Sequence, residues 1–447
     1  MILKLFDKVV LLLWGHLLCS LQFWYKVGTS TTQCSWLVQE VANHFLRMGT
    51  QPIMTLLDCS KAFDTCKFSI LFSRLLERGM SVIVVRVIIF VYEEQYAWVN
   101  WGGSKSCVFS IVNGTRQGSI LSPALFALYV DELLVELRSL GIGCQVAGVY
   151  MGAFGLCDDL LLLAPTRDGM QIMLDTCQRF ARKCNLQFST DPNPTKSKTK
   201  CIFVCGQARK ALKPVPLVLD GKDLPWVESA LHLGHVLHET GSMEQDVKVK
   251  RATFIDESTK VREEFGFASP TEILKAVKVY VGSHYGSNLW QLDSVVVNQY
   301  FSAWRTCVKL AWQLPRGTHT YFVDHLLSGD MTSVRIDALS RYAKFLQGLR
   351  NSPSHEVMVM YGVVSGDVQS TTGHNLSLIK LETGLDPTKV TSCAVKQQLV
   401  RKTPAVPERD RWRLGYLGKM LEARGEAFYA GKETELLSIL IDSLCSS

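Results

Sequence analysis

The stretch that decides the fold is Gly152-Ala-Phe-Gly-Leu-Cys157-Asp158-Asp159-Leu-Leu-Leu-Leu-Ala-Pro165, an apolar run interrupted by two adjacent carboxylates. Burying an unpaired charge is costly, so an acid pair in such a run calls for a cation against Asp158 or Asp159. A continuous apolar segment closed by proline reads as a buried strand or as a hairpin of two strands. Successive strand side chains point to opposite faces, so both acids reach one site only from a tight turn. The pattern therefore favours a hairpin with the acid pair at its turn.

Working outward, Ile53-Met-Thr-Leu-Leu57-Asp58 is a second apolar strand ending in an acid. Two strands that each carry a carboxylate at the C-terminal end can lie side by side and hold a pair of divalent cations between them. That arrangement suits two-metal phosphoryl transfer.

The rest of the chain bounds this reading. With 447 residues and 47% hydrophobic content, it can bury large cores in about two to four domains. A charge of +7 and a pI near 8.7 favour polyanionic partners. The 14 cysteines contain no CxxC pair and no zinc spacing, which indicates free thiols in a reducing, intracellular compartment, nucleus or cytoplasm. The N-terminal run Val9 to Cys19 follows Lys4 in the manner of a secretory leader. It is too short for a membrane span and contains His16, so a buried helix is the better account and no stable membrane association is expected.

Several segments carry local signals. A helix is expected from about Ser35 to Met48, another to about Tyr92, and strands near Trp98 and Val108 around Gly102-Gly103. Ser122-Pro123 reads as a helix start, with the serine as cap and the proline in the first turn, leading into an apolar helix to Leu137. The preceding loop, Asn113-Gly114-Thr-Arg116-Gln117-Gly118, is glycine-flanked at a helix N-terminus, where an anion or a nucleotide can rest. His232, His235 and His238 read as a half-buried strand segment rather than as a metal site. Val247 to Phe265 is amphipathic, with Lys248, Lys250, Arg251, Lys260 and Arg262 against Val249, Phe254, Ile255 and Val261. Ser269-Pro-Thr-Glu272 is a capping box. Val364 to Gly373 is small and polar and reads as a linker, and Arg409 to Tyr416 is basic and aromatic.

Taken together, Leu57-Asp58-Cys-Ser-Lys-Ala-Phe63-Asp64, then Gly114-Thr-Arg-Gln-Gly-Ser-Ile-Leu-Ser-Pro123, then Cys157-Asp158-Asp159 resemble the reverse transcriptases of non-LTR (LINE-type) retrotransposons, in order and spacing. Asn185-Leu-Gln-Phe188 with Lys196-Ser-Lys-Thr-Lys200 resembles that family's lysine-bearing segment. Leu231-His-Leu233-Gly234 resembles its primer-grip hairpin, and Gln22 to Thr32 is similar to its fingers.

The resemblance implies an α/β right-hand polymerase fold, with fingers, a palm sheet, a helical thumb and a helical C-terminal region. Its domains would be partial fingers over 1–50, a palm over 51–240 with a fingers insertion at about 66–112, a thumb over 241–350, and a helical region over 351–447. It implies RNA-directed DNA synthesis from deoxynucleoside triphosphates on an RNA template and a DNA primer, with two Mg²⁺ ions or Mn²⁺ in their place. Asp58, Asp158 and Asp159 match the metal-binding acids, and Phe63 matches the residue that excludes a ribose 2′-OH. Arg116, Gln117 and Gly118 match the loop beneath the incoming nucleotide, Lys26 a basic fingers residue facing the triphosphate, and Lys198 or Lys200 the acid that protonates pyrophosphate. Leu233 and Gly234 fall in the primer grip. Two departures stand out. Leu156-Cys157 replaces the Tyr-Ala that ordinarily precedes the acid pair, and the text starts inside the fingers with no upstream endonuclease, as in a partial chain. The alternative is a catalytically impaired copy that binds nucleic acid without polymerising.

Overall fold

A computed structural model describes residues 2–401 apart from 13–16, 25, 117, 192, 194, 207–213, 267, 282–284, 315–316, 319–322, 324–333 and 390. The chain forms two compact units, Met1–Met243 with Gly348–Gly373, and Glu244–Gln347 with His374–Ser447.

The first unit opens with α1 (Ile2–Leu12) and α2 (Thr31–Arg47), the latter capped by the Ser30 side chain accepting from the Gln33 N–H. Strand β1 (Ile53–Leu57) leads to the short α3 (Ala62–Thr65), then α4 (Phe68–Glu77) and α5 (Val82–Glu93). Two small ribbons follow, β2 (Tyr96–Ala97) with β5 (Phe109–Ser110), and between them β3 (Asn100–Trp101) with β4 (Ser104–Lys105). Next come α6 (Ser122–Leu140), the ribbon β6 (Gln145–Val146) and β7 (Val149–Tyr150), and the hairpin β8 (Ala153–Leu156) and β9 (Asp159–Ala164). Helix α7 (Arg167–Lys183) precedes β10 (Lys200–Phe203), the ribbon β11 (Val218–Leu219) and β12 (Lys222–Asp223), and the hairpin β13 (Ser229–His232) and β14 (His235–His238).

The central sheet runs β10-β1-β9-β8, all neighbours antiparallel. Every residue of β1 and all of β9 after Asp159 are buried, which explains why these strands read as continuous apolar runs. Helix α6 packs on β8 and α7 on β9, so the sheet is covered by the apolar faces of long helices. The expected cap at Ser122 is not one. Its hydroxyl donates to the Arg116 carbonyl at 2.5 Å, while Pro123 does occupy the first turn.

The second unit packs α8 (Glu244–Glu264), α9 (Pro270–Tyr280) and α10 (Val295–Ala311) against one another. It continues through α11 (Val334–Arg350), whose last residues enter the first unit together with α12 (His355–Ser365). Then follow α13 (Thr371–Thr383) and α14 (Ser392–Arg401). The Ser269 capping box forms as expected. On α8, Val247, Phe254 and Val261 are buried, but Val249 and Ile255 face solvent and Lys250 turns onto Asp246 at 2.9 Å. The α8 surface is therefore less cleanly divided than its sequence suggests. No described helix is long and apolar enough to cross a membrane. Of α1, Asp7 and Val10 are buried whereas Leu5 and Val9 are exposed; of the run expected as a buried helix, residues 13–16 lie outside the described residues, and Leu17, Leu18 and Cys19 are buried. The stretch Arg409 to Tyr416 lies outside the described residues.

Candidate active site

The register of the sheet brings the acids together. Leu57 of β1 pairs with Leu160 of β9, and Leu156 pairs with Asp159 across the β8–β9 turn. One further residue along the β1–β9 register sets Asp58 opposite Asp159. The strands are antiparallel, so the end of β1 meets the start of β9, not a second C-terminal end as the sequence suggested. Cys157 and Asp158 form the two-residue turn, with Cys157 in the left-handed region at φ +61°.

Asp58 is half-buried and its backbone is held on both sides. Its N–H donates to Thr199 Oγ1 at 3.3 Å and its carbonyl accepts from the Ser189 N–H at 2.8 Å. Lys198 Nζ stands 3.7 Å from Asp58 Oδ2, close enough for charge attraction and too far for a hydrogen bond. Among the described residues the expected cation lies against Asp58, and none pairs with Asp158 or Asp159. Burial pushes the Asp58 carboxyl above its ordinary value, Lys198 opposes the shift, and Asp158 adds to it. Asp159 is raised first by loss of water and then by Asp158 and Asp58. Among the described residues, the ammonium set beside these carboxylates is that of Lys198 at Asp58, on a largely exposed side chain.

This donor set fits divalent cations. Asp58 Oδ2 is buried without a hydrogen-bond partner, and neighbouring acids are held near it. Among the described residues no group of three or more His, Cys, Asp or Glu side chains is arranged to hold a metal ion by itself.

Around the acids, the Phe63 and Gly114 segments are stitched together. Thr115 N–H donates to the Phe63 carbonyl at 2.6 Å and Gly114 N–H to the Cys66 carbonyl at 2.8 Å. Gly114 has φ +91°, and a Cβ there would stand 3.0 Å from Asp64 Cα and the Phe63 oxygen, so any side chain would be strained and crowd that backbone. The Phe63 ring packs at 5.0 Å on Phe126 of α6. Arg116 and Gly118 are exposed on the same loop, and Gln117 lies outside the described residues. Lys200 is half-buried on β10 opposite Leu56. Leu233 and Gly234 form the two-residue turn of the β13–β14 hairpin, both with positive φ. His232 and His235 pair across that turn and face inward, and burial holds His232 down at about 4.

Lys26 is not brought to the acids. Its ammonium donates to the Cys19 carbonyl, and its charged neighbours are Asp131, Glu356 and Arg138. Burial lowers its pKa. The residue that sequence reading missed is Gln22, whose side-chain oxygen accepts from the Cys157 N–H at 3.0 Å. Nothing in a polar residue between apolar helices marks it in advance.

Residues 1–237 match the family described as reverse transcriptase (RNA-dependent DNA polymerase), more than half of the chain. The chain belongs to that family, and its fold is the right-hand polymerase fold. Its curated relatives are R2 retrotransposon proteins, which supports the non-LTR resemblance. It is 36% identical over 135 residues to the Retrovirus-related Pol polyprotein from type-2 retrotransposable element R2DM of Drosophila melanogaster, covering 30% of this chain and 13% of that protein. It is 32% identical over 164 residues to the Pol polyprotein of a type-1 retrotransposable element R2 of Bradysia coprophila, covering 37% and 18%. The matches thus span less than a fifth of either relative. Among solved structures, apo telomerase from Candida Tropicalis aligns over 88% of this chain and 60% of its own, at 13% identity and a TM-score of 0.40.

Proposed function

We propose that this chain extends a DNA primer on an RNA template, using deoxynucleoside triphosphates, at the site formed by Asp58, Asp158 and Asp159. The observation that carries the reading is the meeting of the β1 end with the β8–β9 turn, which gathers the acids beside one lysine. Asp58 and Asp158 would hold two Mg²⁺ ions, or Mn²⁺, with Asp159 beside them. When bound, such ions lower the pKa of a primer 3′-OH and neutralise charge on the departing pyrophosphate. The chain's own residues position the reactants. Phe63, backed by Phe126, limits space at the sugar and so selects against a 2′-OH. Arg116, Gln117 and Gly118 form the loop under the nucleotide. Lys198, the lysine nearest Asp58, is the proton donor to pyrophosphate rather than Lys200, which lies within the sheet. The β13–β14 turn at Leu233 and Gly234 grips the primer.

On this reading the fingers lie in residues 1–50 and about 66–112, the palm in the rest of 51–240, and the thumb begins with α8. The test is extension of oligo-dT on poly-rA with and without Mg²⁺. Metal-dependent extension by the wild type, lost in Asp158→Asn, is the expected result. Primer binding without extension at any metal concentration favours the impaired copy marked by Leu156-Cys157.

A further inference from the structure

Behind the acid-bearing turn lies a short parallel strap. Gly155 N–H donates to the Leu21 carbonyl at 3.0 Å and Phe23 N–H to the Gly155 carbonyl at 2.8 Å, which lays residues 21–23 along β8. The Gln22 side chain is thereby driven, fully buried, beneath the turn. Its Oε1 accepts from the Cys157 N–H at 3.0 Å and from the Trp24 N–H at 3.3 Å. Cys157 is the strained residue of the turn and its N–H is buried, so without this acceptor the peptide ahead of Asp158 would lose its partner. Gly155 leaves the necessary room, since a Cβ there would stand 3.1 Å from Gln22 Nε2 and 3.0 Å from Leu134 Cδ1.

The strap is itself clamped. Buried Asp131 of α6 accepts from the Cys19 N–H at 3.0 Å and from Arg78 at 2.7 Å. Arg78 also donates to the Leu17 carbonyl at 3.1 Å, Arg138 donates to Ser20 Oγ at 3.2 Å, and Lys26 donates to the Cys19 carbonyl. This accounts for Lys26 in a role other than phosphate contact: it secures the segment that carries Gln22.

We infer that Gln22 is a positioning residue for catalysis, fixing the backbone of the Cys157-Asp158 turn so that the acids point together. The inference rests on the polymerase reading and adds to it a residue that touches neither substrate nor metal. Losing the acceptor leaves every carboxylate in place but loosens their aim, and a misplacement of about 1 Å lowers a rate by about a hundredfold.

The test compares the whole chain with Gln22→Met, which keeps the length and removes the acceptor, and Gln22→Glu, which keeps an acceptor oxygen. Three readouts are taken: hydrogen exchange of peptides over residues 153–163, Mn²⁺ binding by electron paramagnetic resonance, and single-turnover primer extension. In Gln22→Met, exchange should rise in that hairpin alone and Mn²⁺ affinity should fall by about tenfold. Extension should slow by about 10- to 100-fold with the nucleotide KM held within about threefold. Gln22→Glu should restore all three towards wild type. The inference is overturned if Gln22→Met exchanges and binds Mn²⁺ like wild type, or if both variants lose equally. Should Gln22→Met fail to fold, Gln22→Asn decides, since it stays neutral and draws the amide oxygen back by one methylene: raised exchange confined to residues 153–163 with weaker Mn²⁺ binding supports the inference, and native-like exchange and Mn²⁺ binding overturn it. A wild type that binds Mn²⁺ without extending a primer defeats the polymerase reading only, and the exchange comparison still decides the role of Gln22.

Discussion

Asp58 shows at the scale of one residue how a site can work against its own fold. A carboxyl whose folded-state pKa lies above its unfolded value favours the native state while protonated and opposes it once ionised. The stability linked to Asp58 and Asp159 is thus present below about pH 4 and is lost as pH rises through their raised folded values. Asp58→Asn should therefore raise the metal-free melting midpoint at neutral pH, with the advantage vanishing near pH 4. The same change should lower primer extension by about a hundredfold or more, since it removes charge that a metal requires. Thermal melts across pH, paired with extension assays, check both halves, and full activity in the variant would sink the site. Phe63→Ala should raise ribonucleotide relative to deoxynucleotide incorporation, because the ring backed by Phe126 fills the space beside the sugar. An unchanged ratio in a competition assay would make Phe63 a packing residue only. The acids were legible in the sequence because charge inside an apolar run has few explanations. Gln22 was not, because a buried amide bonded to a backbone N–H resembles any loop glutamine until the partner strand is known.

At the scale of elements, periodicity located the main helices and the hairpin, but not where polar groups find their partners. Ser122 matched a cap by type and position, yet its hydroxyl closes the Arg116 loop instead. Ser370 and Thr372 suggested a linker, but both are buried. Thr372 Oγ1 donates to Glu40 at 2.7 Å and accepts from Trp36 Nε1 at 2.8 Å. Composition reports polarity, whereas burial depends on what the rest of the chain supplies as partner. The β8–β9 hairpin offers a direct test of the departure before the acid pair. Leu156 closes β8 opposite Asp159 and is 8% exposed, so a larger ring there borders both the core and the turn. Leu156→Tyr should raise single-turnover extension, by up to about a hundredfold, with unchanged Mg²⁺ dependence, because it restores positioning rather than charge. A slower variant with a lowered melting point would mean that the ring overpacks the sheet.

The path of the whole chain carries the largest consequence. It leaves the first unit after Met243, builds most of the second, and returns with residues 348–373 to complete the first. There Gln33 Nε2 donates to the Gly348 carbonyl at 3.1 Å, and Arg47 pairs with Asp367 at 3.0 Å. Thr372 N–H donates to Glu40 at 3.1 Å, and burial raises that carboxyl's pKa despite both Thr372 bonds. Val357, Met360 and Val364 of α12 are fully buried. At about 1.5–3 kcal/mol for each buried side chain, these three contribute roughly 5–9 kcal/mol, comparable with the entire net stability of a typical domain. A chain ending at Gln347 should therefore be insoluble or lack a cooperative melt, although it contains every candidate catalytic residue. Extending it to residue 373 should restore cooperative unfolding of the first unit. In the full chain, Thr372→Val should cost about 1–3 kcal/mol by removing the buried hydroxyl that donates to Glu40 and accepts from Trp36, while the backbone bond to Glu40 stays. Denaturant melts of the three proteins check this, and a soluble, cooperatively folded 1–347 chain would show that the returning segment is dispensable.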